Sequence, residues 1–295
     1  MAEELYRQVL LPQSYLLGRS HPDTLKTFNK LGFTFQSRGK YPEAEDVFRQ
    51  VLGIQEELSR EDPNTIIGMA RLANVLDVQD KYEEAEDMYQ EILSLQEKAL
   101  GVKHFDAINT MSNLGTVLNI QEKYERAEEM HRRVLVLKER LFGTDPRTLD
   151  MMTSLSFALH NQKKYKEAEG LVRRILELRK ELLGEEHPNT IKSMDSLAFM
   201  LDQQGKQEQA EEVHRLALTL RERLLGREHP DTVESMKYLA RVFAHQKKYE
   251  EAEELCREII DISGEDVPVN ALELCWFVGI RPSRVGFNAQ QLGGG

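Results

Sequence analysis

The chain has 295 residues, of which 40% are hydrophobic and 30% charged, and a net charge of -11. That acidity argues against general binding to nucleic acid or to an anionic membrane. Two cysteines, Cys256 and Cys275, are too few for a disulfide framework or a cysteine-rich zinc site. The first twenty residues carry acids at once and lack the basic-then-apolar order of a secretory leader. The longest apolar run, Cys275–Ile280, is far shorter than the roughly 20 residues of a membrane span. A cytoplasmic protein is the expectation.

In chain order, Ala2–Leu10 matches Ala85–Leu93 and is predicted to be the second helix of a preceding helix pair, so residues 1–20 are expected to form a half repeat. The helix it would pair with is missing, and Leu5, Val9 and Leu10 are expected to lie open to water or to a neighbouring chain, a route to self-association.

From residue 21 the chain repeats itself. A proline-centred cluster recurs as His21-Pro22-Asp23-Thr24, Asp62-Pro63-Asn64-Thr65, Asp145-Pro146-Arg147-Thr148, His187-Pro188-Asn189-Thr190 and His229-Pro230-Asp231-Thr232, with a degenerate copy at His104–Ala107. The proline positions 22, 63, 105, 146, 188 and 230 are 41 or 42 residues apart. A second cluster of the type Lys81-Tyr82-Glu83-Glu84-Ala85-Glu86 follows each, its second residue nineteen after the proline position, and that distance never varies. The loop that absorbs the length variation therefore follows the second cluster.

Each repeat is predicted to be two helices. In the first, Phe28, Leu31, Gly32 and Phe35, or Met111, Leu114, Gly115 and Leu118, follow a 3.6-residue period. Proline at the first helical position and a preceding His or Asp mark the starts. Gly39 and Gly205 suit a left-handed ending, whereas Asp80, Glu122, Lys163 and Lys247 in the same place imply strain or a different turn. In the second helix an alanine (Ala44, Ala85, Ala127, Ala168, Ala210, Ala252) marks a close helix crossing. Residues 264–295 lose the register and are expected to form a poorly ordered tail, with at most one short helix touching the last repeat.

No catalytic constellation emerges, and an enzyme is not expected. The recurrent loop histidines suit helix capping better than a metal ladder, and His131 and His214 fall at core positions. Gly39-Lys40 and Gly205-Lys206 lack the earlier glycine and the following Ser or Thr of a phosphate loop. The acids Glu45, Glu128, Glu169, Glu211 and Glu253 each precede an arginine by four, a scaffold pattern. No cofactor or metal is expected.

The small-residue pattern over residues 2 to 263 resembles the tetratricopeptide repeat. The long period and the His-Pro-Asp-Thr and Lys-Tyr-Glu-Glu-Ala-Glu clusters resemble its kinesin-light-chain-like subtype, which also forms the C-terminal arrays of fungal NTPase receptor-like proteins. The resemblance implies an all-α fold, a right-handed superhelical solenoid of antiparallel helix pairs, with six repeats over 21–263. It implies a protein–protein interaction scaffold that takes a peptide or helix of a partner in a concave groove lined by the first helices. A different reading stays open: a sensor or autoinhibitory array of a larger NTPase immune-receptor-like protein.

The groove positions are then Lys26, Asn29, Phe33, Asn74, Asn109, Thr116, Phe157, His160, Lys192, Phe199, Asp202 and Arg241. Phe33, Phe157 and Phe199 share one register position, with Ile67, Val78 and Ile120 as added apolar area. The asparagine pair usual before the core leucine in kinesin-light-chain-like arrays is mostly replaced here, and no Lys/Asn/Asn/Lys/Arg chaperone clamp assembles.

Overall fold

The computed structural model describes residues 2–143 and 145–263, together with Val278. Among them are thirteen helices and no strand. They are α1 (Ala2–Leu16), α2 (Pro22–Ser37), α3 (Tyr41–Leu58), α4 (Pro63–Val78), α5 (Tyr82–Leu100), α6 (Phe105–Ile120), α7 (Tyr124–Phe142), α8 (Pro146–Asn161), α9 (Tyr165–Leu183), α10 (Pro188–Gln203), α11 (Gln207–Leu225), α12 (Pro230–His245) and α13 (Tyr249–Ser263). The chain divides into two compact bodies, residues 1–158 and 159–295. In the first, each helix from α1 to α6 packs on the next; in the second the same holds from α9 to α12. The expected tail, 264–295, lies outside the described residues except for Val278, which is helical and buried with Met236, Leu239, Cys256 and Ile259.

The repeated clusters explain the helix starts. The imidazole Nδ1 of His21, His104, His187 and His229 accepts from the backbone N–H two residues on, at 3.1 to 3.3 Å. Asp62 does the same for Asn64, and the Asp145 carboxylate accepts from the Thr148 N–H. These are N-caps, each satisfying a donor that the helix cannot. The cluster threonine works in the other direction: the hydroxyls of Thr65, Thr148, Thr190 and Thr232 donate to the carbonyls of Ser59, Gly143, Gly184 and Gly226 at the end of the preceding helix. One side chain thus ties the end of one repeat to the start of the next.

The first helices all end alike. The N–H of Lys40, Lys81, Lys123, Lys164, Lys206 and Lys248 donates to the carbonyl five residues earlier, at 2.9 to 3.0 Å, the outer bond of a Schellman turn. That turn puts the preceding residue in the left-handed region. Gly39 and Gly205 adopt it freely, and Asp80, Glu122, Lys163 and Lys247 adopt it at φ 60 to 63°. There is no alternative geometry at the non-glycine positions: the turn is the same and carries the strain.

Between the helices, shape decides. The six alanines of the second helices are fully buried. The small residue of the first helix faces the large residue four after that alanine. A Cβ at Gly32 would stand 2.6 Å from the Phe48 ring, and one at Gly115 would stand 2.6 Å from the His131 ring. Glycine is required there by space, since no backbone strain is involved.

The scaffold reading of the acid–arginine pairs holds: all five ion pairs form. In α1, Leu10 is buried in the first body's core and not open as its register suggested, because it faces α2. Leu5 and Val9, like Leu11 and Tyr15, remain exposed.

Candidate functional site

Of the predicted groove positions on the first helices, all but Asp202 are exposed or half-buried. In the first body, Lys26, Asn74 and Thr116 are exposed, and Asn29 and Asn109 are half-buried. Phe33 keeps 46% of its surface exposed while its ring meets Phe48 edge-on at 5.7 Å and carries the Arg71 guanidinium at 5.1 Å. Phe157 is 50% exposed, its ring edge-on to Tyr124 at 6.2 Å. Ile67, Val78 and Ile120 are exposed as well. This face therefore presents apolar area and amides side by side.

The amides are partly organised from below. Tyr89, buried in the core, donates its hydroxyl to Asn74 Oδ1 at 2.6 Å, and Asn113 Nδ2 donates to the same oxygen at 3.3 Å. Burial, followed by the charge of Asp77, pushes the Tyr89 hydroxyl's pKa far up, which keeps it a donor. Asn119, at the far end of α6, is buried instead; its Nδ2 lies 3.0 Å from His131 Nε2 and donates to the Ser154 carbonyl at 3.2 Å.

In the second body the predicted positions cluster more tightly. His160 lies between Tyr165 and Phe199 at 5.3 and 5.2 Å, and burial holds its pKa below the ordinary value. Phe199 is half-buried with the Arg241 guanidinium 5.3 Å over its ring. Lys192 is exposed. Asp202, expected on the open face, has a fully buried side chain: His245 Nδ1 lies 2.9 Å from its carboxylate and Arg241 Nε 3.9 Å away. Asp195 is likewise turned inward, 2.6 Å from Arg221 Nη2. These two acids bind their own scaffold, Asp195 joining α10 to α11 and Asp202 joining α10 to α12.

A feature that sequence reading did not assign links successive second helices. The lysines that open five of the second clusters pair with a glutamate of the preceding second helix: Lys40 with Glu3, Lys81 with Glu45, Lys123 with Glu86, Lys206 with Glu169 and Lys248 with Glu211. Its signal was present, since both residues recur, but they lie about one repeat apart. Among the described residues no cluster of His, Cys, Asp and Glu could hold a metal ion, and no helix is long and apolar enough to cross a membrane.

Helix pairs of this period, stacked in chain order with a small-residue crossing in each, define a helical-repeat scaffold. Models of the tetratricopeptide repeat match residues 24–64, 65–140, 147–223 and 208–265, and the chain belongs to that family. Solved structures agree on the fold. The nearly identical repeats of a Podosopora anserina protein assigned as a kinesin light chain superpose with a TM-score of 0.63 at 22% identity, covering 70% of this chain and 98% of that one. BtubC (BKLC) from P. vanneervenii gives 0.60 at 18% identity, over 76% and 91% of the two chains. The pilF protein of Pseudomonas aeruginosa gives 0.55 at 17% identity, over 84% and 95%. No curated protein matches the sequence. The general class is a protein-interaction scaffold built of tetratricopeptide repeats.

Proposed function

We propose that the chain binds a peptide or helix of a partner protein in the concave groove lined by its first helices. The observation that carries this reading is the half-exposed state of Phe33 and Phe157, at one register position, beside exposed Ile67, Val78 and Ile120. Apolar side chains repeated on a solvated face suit an interaction site, and among the described residues no catalytic arrangement competes with this reading. The protein would act in the cytoplasm, where the buried Cys256 thiol stays reduced. Affinity capture from the source cell with the wild-type chain and with Phe33→Ser/Phe157→Ser tests it. Capture should be lost while the melting temperature holds. A large fall in melting temperature with the partner still captured would make the rings core and refute the reading.

The open face of α1 favours a second reading, in which the repeats are the sensor or autoinhibitory array of a larger NTPase receptor-like protein, with another domain seated on Leu5, Val9 and Tyr15. Alternatively, the same face joins two copies. Sedimentation separates these: a dimer abolished by Val9→Glu supports self-association, and a monomer that binds an NTPase domain through this face supports the receptor.

A further inference from the structure

Two charges on α4 stand out from the ion pairs around them. Arg71 is half-buried, its guanidinium stacked on Phe33, and it pairs with no described carboxylate. Burial pulls its pKa down. Six residues on, Asp77 is half-buried too and pairs with no described cation; burial first, and then the charge of Asp80, push its carboxyl up. Between them Asn74 is exposed, with its Oδ1 taken by Tyr89 and Asn113 and its Nδ2 left to donate outward. At 3.6 residues per turn, Arg71 and Asp77 lie about 60° to either side of Asn74 around the helix, so the two charges flank the amide.

Withdrawing a charge from water without a partner is costly. A surface that holds one of each sign in that state is suited to a ligand that supplies the complement of both. We propose that this face of α4 binds an extended peptide segment carrying an acidic side chain for Arg71 and a basic side chain three positions away for Asp77, with a backbone carbonyl on the Asn74 amide. The spacing follows from the geometry. Six residues of helix rise about 9 Å, and three residues of extended chain span about 10 Å. An extended ligand fits better than a helical one because its backbone carbonyls are free to accept from Asn74, whereas those of a helix are already bonded. Arg71 can take the carboxylate through two parallel N–H donors, which fixes its orientation as well as its charge.

This inference rests on the groove reading above, and the test separates the two. Fluorescence anisotropy with the full chain uses labelled ten-residue peptides of Leu, Ala and Ser. They carry Glu and Lys three apart in either order, Glu and Lys adjacent, Gln for Glu, or Gln for Lys. One order of the three-apart peptides should bind about fivefold or more tighter than the others, roughly 1 kcal/mol. Arg71→Gln should remove the preference for Glu alone, Asp77→Asn the preference for Lys alone, and Arg71→Lys should keep part of the first. Peptides that bind the wild type and both variants with unchanged preferences overturn the inference and leave the groove reading standing. Failure of every peptide to bind the wild type overturns the inference, and capture of a natural partner then decides the groove reading on its own.

Discussion

Lys206 Nζ sits 2.6 Å from Glu169 Oε2, joining the start of one second helix to the start of the one before it. Gln204 and Arg173 donate to the same carboxylate. Burial alone would raise the Glu169 pKa; Lys206, Gln204 and Arg173 outweigh it and hold the group at about 2. The folded pKa is depressed, so the stability this group contributes is present above the ordinary carboxylate range and is lost as pH falls through that range toward 2. Replacing Glu169 by Gln should cost about 1 kcal/mol at neutral pH, given the exposed ends of its cations, and flatten the acid limb of the melting curve. An unchanged acid limb would show that the link carries no charge energy.

His131 makes the same kind of statement in another pH range. Burial, only partly opposed by the Gly115 carbonyl, lowers its pKa from 6.5 to about 4, so the ring is neutral when folded. The unfolded chain binds the proton first, and stability should therefore fall as pH drops from 6.5 toward 4, by about 2–3 kcal/mol in all. His131→Phe places in front of Gly115 the ring that Phe48 places in front of Gly32. Chemical denaturation across that pH range should show the slope reduced in the variant.

Gly32→Ala tests the crossing directly. Its Cβ would stand 2.6 Å from the Phe48 ring, and a loss of about 1–3 kcal/mol is expected from overpacking. Adding Phe48→Leu should recover part of it, which a purely conformational effect of alanine would not allow.

The left-handed turns predict a gain. Glu122→Gly and Lys163→Gly remove strain at φ 60 and 61° and should each stabilise the chain by about 0.5–1 kcal/mol, after the entropy glycine costs in the unfolded state. Gly39→Ala, at φ 71° with open space around it, should do the opposite.

The fold was legible in the sequence because the repeat shows each structural requirement several times over. Proline, threonine, tyrosine and alanine recur at fixed offsets, and a lone copy of any of them would have said little. The candidate site was less so. Phe33 and Phe157 were readable from register as surface aromatics, but Asp202, three residues after Phe199 on the same expected face, is buried, because His245 and Arg241 of the next first helix close over it. The lysine–glutamate links escaped because neither residue lies near the other in sequence; only packing shows that one answers the other. Leu10 was misplaced for the related reason that α1 packs on α2, and burial there depends on that contact and not on the repeat register alone.

The lysine–glutamate link also bears on how such a gene can change length. Each glutamate is answered by the following repeat and each lysine by the preceding one. Deleting residues 63–104 by unequal crossing-over would bring Lys123 to Glu45, set the His104 cap's successor, Phe105, after the Asp62 cap, and leave every Schellman turn in place. The lysine–glutamate links would survive the loss of that repeat, but Arg49, paired with Glu84, would then face Arg126, and Arg60, paired with Glu91, would face Arg133, so a change of length is free at one set of contacts and costly at another.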